Sequence, residues 1–322
     1  MILAAWTHLR PKESRSGCLL FSGAKTRLVL CSRFPCYNFR PRKPESHPLG
    51  IDTHSLNFIR YASRKKPLGY VATIGRQSLA IPALYAKYGR FCEGFLIDHF
   101  GATRVDSYDN SDYEGATHIA DLNKALVPAN QYDTVLDFGT TEHIYNIPQA
   151  LENISLLCAD GGQILHVSPA NNFCGHGFWQ YSPELFFSLY SERNGCGDTE
   201  VFLADLNRIR HWFEVLRPSD GSRAQATSTS PLYVLCRTVK RRTTAHNDIQ
   251  QSDYVHAWTN KPQAADQNGI RRRLKALVKK SPVIYRILLS LREYRRTKLE
   301  RIGLSHRNRH LKKVSVAELL KS

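Results

Sequence analysis

Four short apolar runs, each ended by a glycine or an aspartate, constrain this 322-residue chain more than any other feature. Tyr70 to Ile74 runs into Gly75, Thr103 to Tyr108 into Asp109, Ala116 to Ala120 into Asp121, and Tyr132 to Phe138 into Gly139. Runs this short and this apolar read as buried strands rather than helices. Amphipathic stretches lie between or beside them: Ile51 to Ser63, Ser78 to Tyr88 with Gly89 as its stop, and Pro148 to Leu157 with a proline near its start. After Gly161-Gly162 the pattern predicts a fifth strand over Gln163 to Val167 and a helix over Pro183 to Tyr190. Further strands are expected over Thr199 to Ala204 and Leu232 to Thr238. Strands alternating with helices predict an α/β fold around a parallel, doubly wound sheet.

Ligands of such sheets bind beyond the carboxyl ends of the strands. The residues just after each strand are therefore the candidates. Gly75-Arg76-Gln77-Ser78 offers a close backbone approach and a helix start that suits an anion. Asp109 can accept both hydroxyls of a ribose through its two carboxylate oxygens. Asp121-Leu122-Asn123 can meet the edge of an adenine. Phe138-Gly139-Thr140-Thr141-Glu142-His143 follows the fourth strand. His176, set between Gly175 and Gly177, follows the fifth in a loop rich in aromatic residues. An imidazole titrates near neutrality, so His176 is a candidate general base.

These phrases resemble those of class I S-adenosylmethionine-dependent methyltransferases. The likeness spans about residues 65–238. It is carried by Tyr132-Asp133 with its strand, Glu142-His143, the helix Pro148 to Leu157, Gly161-Gly162 and the strand Gln163 to Ser168, together with Asp106 to Ala116. Asn171 to Phe186 is similar to a subgroup found beside polysaccharide and nucleotide-sugar genes. The resemblance implies a Rossmann-like, seven-stranded, mostly parallel sheet with helices on both faces, binding S-adenosylmethionine. It implies that Gly75 serves the methionine end, Asp109 the ribose, and Asp121 and Leu122 the adenine; where the family's further glycines are missing, Arg76 or Gln77 is expected to meet the methionine carboxylate instead. Phe138 and Gly139 would line the methionine and substrate side. The chain departs from the family in its first loop, which has one glycine where the family has three. Metal-using relatives carry Glu-x-x-Glu-His after strand four; Gly139 stands in place of the first Glu, and no metal site is expected from Glu142-His143 alone.

Charge divides the chain. Its formal net charge is +17, but residues 1–50 hold 9 basic and 2 acidic residues, residues 51–235 hold 14 and 20, and residues 236–322 hold 22 and 6. A basic, poorly ordered extension is expected over 1–50 and a methyltransferase-like domain over 51–239. A polar linker over 240–269 and a basic helical arm over 270–322 follow, the arm broken at Ser281-Pro282. Residues 270–301 mix basic and apolar side chains, which suits an anionic membrane surface or a protein partner. Nucleic acid ranks lower, because only Tyr285 and Tyr294 offer rings for stacking there. Eight dilute cysteines with no C-x-x-C pair exclude a disulfide scaffold and a zinc ribbon. No run approaches the roughly 20 apolar residues of a membrane span, and a cytoplasmic protein, peripheral at most, is expected.

The sequence reading is thus methyl transfer from S-adenosylmethionine to oxygen or nitrogen of a small molecule or sugar. Its alternatives are a non-catalytic methyltransferase-like module working through the basic arm and, lower, a nicotinamide-dependent oxidoreductase, for which the glycine-rich loop is missing.

Overall fold

The computed structural model describes residues 50–127, 130–244, 249–260, 282–300, 303–305 and 307–321, with four two-residue strands among the first 27 residues. Those strands pair antiparallel, Lys12–Glu13 with Leu19–Leu20 and Ser22–Gly23 with Thr26–Arg27. They belong to a unit of residues 1–47, separate from the unit of residues 48–322. The expected extension over 1–50 otherwise lies outside the described residues, as do 261–281 of the expected linker and arm.

The larger unit is built on a nine-stranded sheet. Its strands are β1 (Gly69–Ile74), β2 (Ala102–Asp109), β3 (His118–Ile119), β4 (Tyr132–Phe138), β5 (Cys158–Asn171), β6 (Cys196–Asp205), β7 (His211–Val215), β8 (Leu232–Lys240) and β9 (Leu311–Ser315). From one edge the order is β3-β2-β1-β4-β5-β8-β6-β7-β9. The pairs among β1 to β5 are parallel, and every pair from β5 outward is antiparallel. The first five strands thus follow the 3-2-1-4-5 order of a Rossmann-type sheet, whose crevice lies at the β1/β4 switch point.

Alternation along each strand divides the apolar side chains between two layers. Ala72, Ile74, Val135, Ile164 and Val234 point to a core shared with α4 (Ile147–Leu157) and α5 (Pro183–Leu189). Val71, Leu136, Leu165 and Leu235 point to the opposite core, against α1 (Thr53–Lys65) and α3 (Glu93–Phe100). Helix α1 starts where Asp52 accepts the Ser55 amide at 2.8 Å. It buries Leu56, Phe58, Ile59 and Ala62 along one face. Phe58 and Ile59 are fully buried, each worth about 1.5–3 kcal/mol. Trp212 of β7 closes this layer, donating from Nε1 to His54 Nδ1 at 3.1 Å.

The remaining helices among the described residues are α2 (Pro82–Tyr88), α6 (Ser252–Thr259), α7 (Pro282–Glu300) and α8 (Val316–Leu319). Three expectations are corrected. The sheet has nine strands rather than seven, because β7 and β9 extend the antiparallel edge. The region read as one helix over Ser78 to Tyr88 opens with extended Ser78–Leu79, which pairs with Gly50–Ile51, and becomes helical only at Pro82. The basic arm does not run to the C-terminus. Leu311 and Val316 are buried, and β9 pairs with β7 along its whole length, with Lys312 3.2 Å from Glu214. The Leu-Lys-Lys-Val-Ser pattern of β9 is too polar to read as a strand; as an edge strand it buries only part of one face. The expected linker likewise contains α6. Among the described residues no helix is long and apolar enough to cross a membrane.

Candidate functional site

A cavity of about 360 Å³ opens at the carboxyl ends of β1, β2 and β4. Gly75, Arg76, Asp109 and Gly139 line it, with Gln77, Ser78, Arg90, Glu114, Thr140 and His143. Four of the eight expected site residues therefore share one cleft at the switch point. Small-molecule sites run to about 300–1,000 Å³.

Gly75 has φ +71, the left-handed region. A Cβ there would lie 2.6 Å from Thr140 Oγ1. The space beside this glycine is thus taken by Thr140, whose hydroxyl donates to the Ile74 carbonyl at 2.6 Å. The close approach is between the β1 and β4 loops rather than between backbone and ligand. Gln77 is buried, and its Nε2 donates to the same carbonyl at 2.8 Å. Its Oε1 is buried without a partner among the described residues. A buried acceptor left unpaired is costly, so a donor from a ligand fits this position.

Arg76 is largely committed to protein. Its Nε lies 2.7 Å from Glu93, its Nη1 donates to the carbonyls of Glu114 at 2.6 Å and Gly115 at 2.9 Å, and its guanidinium stacks on Phe91. Arg90 pairs with the Glu114 carboxylate. These contacts make Arg76 a latch between the first loop and the segment after β2. Among the described residues the Asp109 carboxylate accepts only the long 3.4 Å bond from Ser111 N, and its carbonyl holds Ala120 N at 2.7 Å, seating the end of β3 beside it.

The other expected residues do not line the cleft. Asp121 turns to its own loop, accepting from Asn123 N and Nδ2 and pairing with Lys124 at 3.1 Å. These contacts hold its carboxyl below the ordinary aspartate value. Leu122 and Phe138 are buried in the two cores.

His176 stands beside the cleft rather than in its wall. The 3-10 turn Thr141–His143 carries Glu142 inward and His143 outward. The loop after β5 folds back over this turn: Phe178 N and Trp179 N donate to the Glu142 carbonyl at 2.7 and 3.3 Å. Gly177, at φ +68, permits the packing, since a Cβ would lie 2.8 Å from that carbonyl. His176 Nε2 thereby comes 3.2 Å from Glu142 Oε1, and its ring meets that of His143 edge-on with centroids 4.9 Å apart. Burial raises the Glu142 carboxyl above its ordinary range against the opposing His176 contact, and burial lowers His143.

Sequence reasoning missed Arg90 and Glu114, which carry no periodic signal, and the buried network beneath the turn. Asp137 and His166 are both fully buried and 2.8 Å apart, and Asp137 Oδ2 also accepts from Thr141 Oγ1 at 2.6 Å. A second cavity, about 410 Å³, lies at the end of β5 and the start of β8, lined by Asn171, Tyr181, Ser182, Gln225 and Leu232 among others, none of them charged.

No family model and no curated protein matches the chain. Solved structures with detectable similarity include the YcgJ protein of Bacillus subtilis (8% identity over 58% of this chain and 99% of that one, TM-score 0.35). A putative methyltransferase of Bacillus halodurans has 11% identity over 57% and 99%, TM-score 0.33. A phosphoethanolamine N-methyltransferase of Haemonchus contortus in complex with S-adenosyl-L-methionine has 13% identity over 58% and 53%, TM-score 0.37. These likenesses are too distant to transfer a ligand or a residue role. The strand order, the helices on both faces and the cleft at the β1/β4 crevice give this chain an α/β, Rossmann-like fold.

Proposed function

We propose that the chain is an S-adenosylmethionine-dependent methyltransferase acting on oxygen or nitrogen of a small molecule or sugar. One observation carries the reading: the β1/β4 cleft is lined by Asp109, which offers a carboxylate, and by Gln77, whose Oε1 is buried without a partner among the described residues. The carboxylate suits two ribose hydroxyls, and the amide oxygen suits an ammonium. Both groups are present on S-adenosylmethionine, which supplies a methyl already activated by a sulfonium. Arg76, held by Glu93, keeps the first loop in place rather than meeting the methionine carboxylate with all its donors.

The protein's own task is then largely positional. Holding an acceptor in line with the methyl can supply most of the rate. His176 is oriented by Glu142 and is suited to take the acceptor's proton as the new bond forms. The uncharged lining of the second cavity, with Asn171, Ser182 and Gln225, supports a neutral, hydroxyl-rich acceptor.

Calorimetric titration of the full chain with S-adenosylhomocysteine tests the proposal. Binding that D109A weakens supports it. No heat from a chain with an intact circular dichroism spectrum overturns it.

A second reading, a module working through its basic segment, has one observation in its favour. Val283, Ile284, Ile287, Leu288 and Leu291 of α7 are all exposed, on a helix that also carries Arg286. Flotation with phosphatidylserine vesicles, abolished by L288D, would support it; recovery of all protein free of vesicles would exclude it.

A further inference from the structure

We propose that Glu142, His143 and His176 bind a divalent transition-metal ion of zinc-like preference at the rim of the cleft. The three residues come from two segments that the fold presses together, the turn after β4 and the loop after β5. One ligand atom from each lies within 4.8 Å of the others. Glu142 Oε1 is 3.2 Å from His176 Nε2 and 4.0 Å from His143 Nε2. Tetrahedral coordination with bonds of about 2.0–2.1 Å places ligand atoms about 3.3 Å apart. The Glu142–His176 separation already has that value. His143, with 41% of its side chain exposed, has room to close the remaining gap.

A second observation points to a ligand. The Glu142 side chain is fully buried, yet its Oε2 has no partner among the described residues. A buried carboxylate with an oxygen lacking a donor is expensive, and a cation held by Oε1 beside the two imidazoles would neutralise that carboxylate. The donor set defines the ion. Two imidazoles and one carboxylate suit zinc or its first-row neighbours, whereas calcium and magnesium want more oxygens. Three protein ligands leave a position open, the pattern of a reactive rather than a closed structural site. That position adjoins the cleft, because His143 lines it beside Gly139 and Thr140.

The arrangement is largely formed without an ion. The loop is docked by the Phe178 and Trp179 amides on the Glu142 carbonyl, a contact the Gly177 conformation allows. The site stands whether or not the chain binds S-adenosylmethionine. If the methyltransferase reading also holds, the acceptor group narrows to a hydroxyl. Its oxygen would bind the ion, and its proton would be released to water rather than taken by His176.

The test uses the full chain, stripped with a chelator and titrated with Co2+, read by visible absorption and calorimetry. One Co2+ per chain is expected, with ligand-field bands, displacement by Zn2+ and no thiolate charge transfer. H176A and the more exposed H143A should each weaken binding by at least about 100-fold, since loss of even an outer partner of a ligand costs about 10–100-fold. His118, on the edge strand β3 with its Nε2 3.4 Å from Asp106, is the control, and H118A should bind as the wild type does. Three outcomes overturn the proposal: no ligand-field bands at saturating Co2+, a thiolate charge-transfer band from a site such as exposed Cys174, or unweakened binding by both H176A and H143A. Titration of the metal-free chain with S-adenosylhomocysteine reads the cofactor separately.

Discussion

His166 and Asp137 face each other across the parallel pair β4–β5, with Nδ1 2.8 Å from Oδ2 and both side chains shut off from solvent. On its other side His166 Nε2 meets the Tyr190 hydroxyl at 2.6 Å, at the end of α5. Asp137 also receives the Thr141 amide and hydroxyl. One carboxylate thus joins two strands to the turn that carries Glu142, so the rim of the cleft is anchored from below.

Removing that carboxylate should be severe. D137A leaves His166 Nδ1 and two Thr141 donors unpaired in a dry layer. Breaking a buried pair by deleting one partner costs about 3–5 kcal/mol. Urea denaturation should show a loss of that size; a loss below about 1 kcal/mol would mean that the network contributes little.

The Asp109 carboxylate should matter to the ligand and not to the fold. It makes one long hydrogen bond among the described residues, so D109A should unfold at nearly the wild-type urea concentration. Loss of charged hydrogen bonds worth about 1.5–3 kcal/mol should weaken S-adenosylhomocysteine about 10- to 150-fold. Equal affinities in calorimetry would remove Asp109 from the site.

Gly75→Ala should do both kinds of harm. The positive φ costs a residue with a Cβ about 1–2 kcal/mol, and the new methyl group would strike Thr140 Oγ1. A stability loss of about 2 kcal/mol is expected, with weaker ligand binding because Thr140 forms the opposite wall. Wild-type stability would show that the two loops are free to part.

Stability should fall in acid through Asp106. Burial alone would raise its carboxyl, but hydrogen bonds from Tyr70, Arg104, His118 and Tyr132 outweigh burial and hold it below the ordinary aspartate value. A lowered folded pKa adds stability that is fully present above the unfolded value of about 3.9. That stability is lost as the pH falls through the folded value. Urea midpoints taken from about pH 6 down to about pH 3 should drop, and D106N should drop less steeply. Parallel curves for the two proteins would count against this assignment.

Deletion of residues 306–322 tests the edge strand. It removes β9 and with it buried Leu311 and Val316, each worth about 1.5–3 kcal/mol, and bares the edge of β7. The shortened chain should lose about 3–6 kcal/mol and aggregate more readily. A deletion without effect on urea unfolding would return this segment to the role of an appended arm.

The existence of strands β1 to β6 and β8, the helices α1, α4 and α5, and a cleft at the strand ends were legible in the sequence. Tyr70 to Ile74 and Tyr132 to Phe138 are mostly apolar at their buried positions, with Thr73, Thr134 and Asp137 the polar ones, and Gly75, Asp109 and Gly139 mark where strands stop. Local pattern is enough where a strand is buried on both faces. β9 was not legible, because an edge strand needs only half its side chains buried and Lys312 and Lys313 read as surface; β7, an interior strand of only five residues, was passed over with it. That Asp121 and Leu122 do not line the cleft was not legible either: a turn acid and a ligand-binding acid have the same sequence signature, and only the tertiary structure shows the contacts of Asp121 with Asn123 and Lys124. The pairing of Glu142 with His176, 34 residues apart, was beyond any local pattern. It required β5 to lie beside β4 and Gly177 to fold the next loop over the turn. The residue types at the strand ends were set by sequence; which of them meet was decided by strand register, because parallel pairing brings together segments that are remote along the chain.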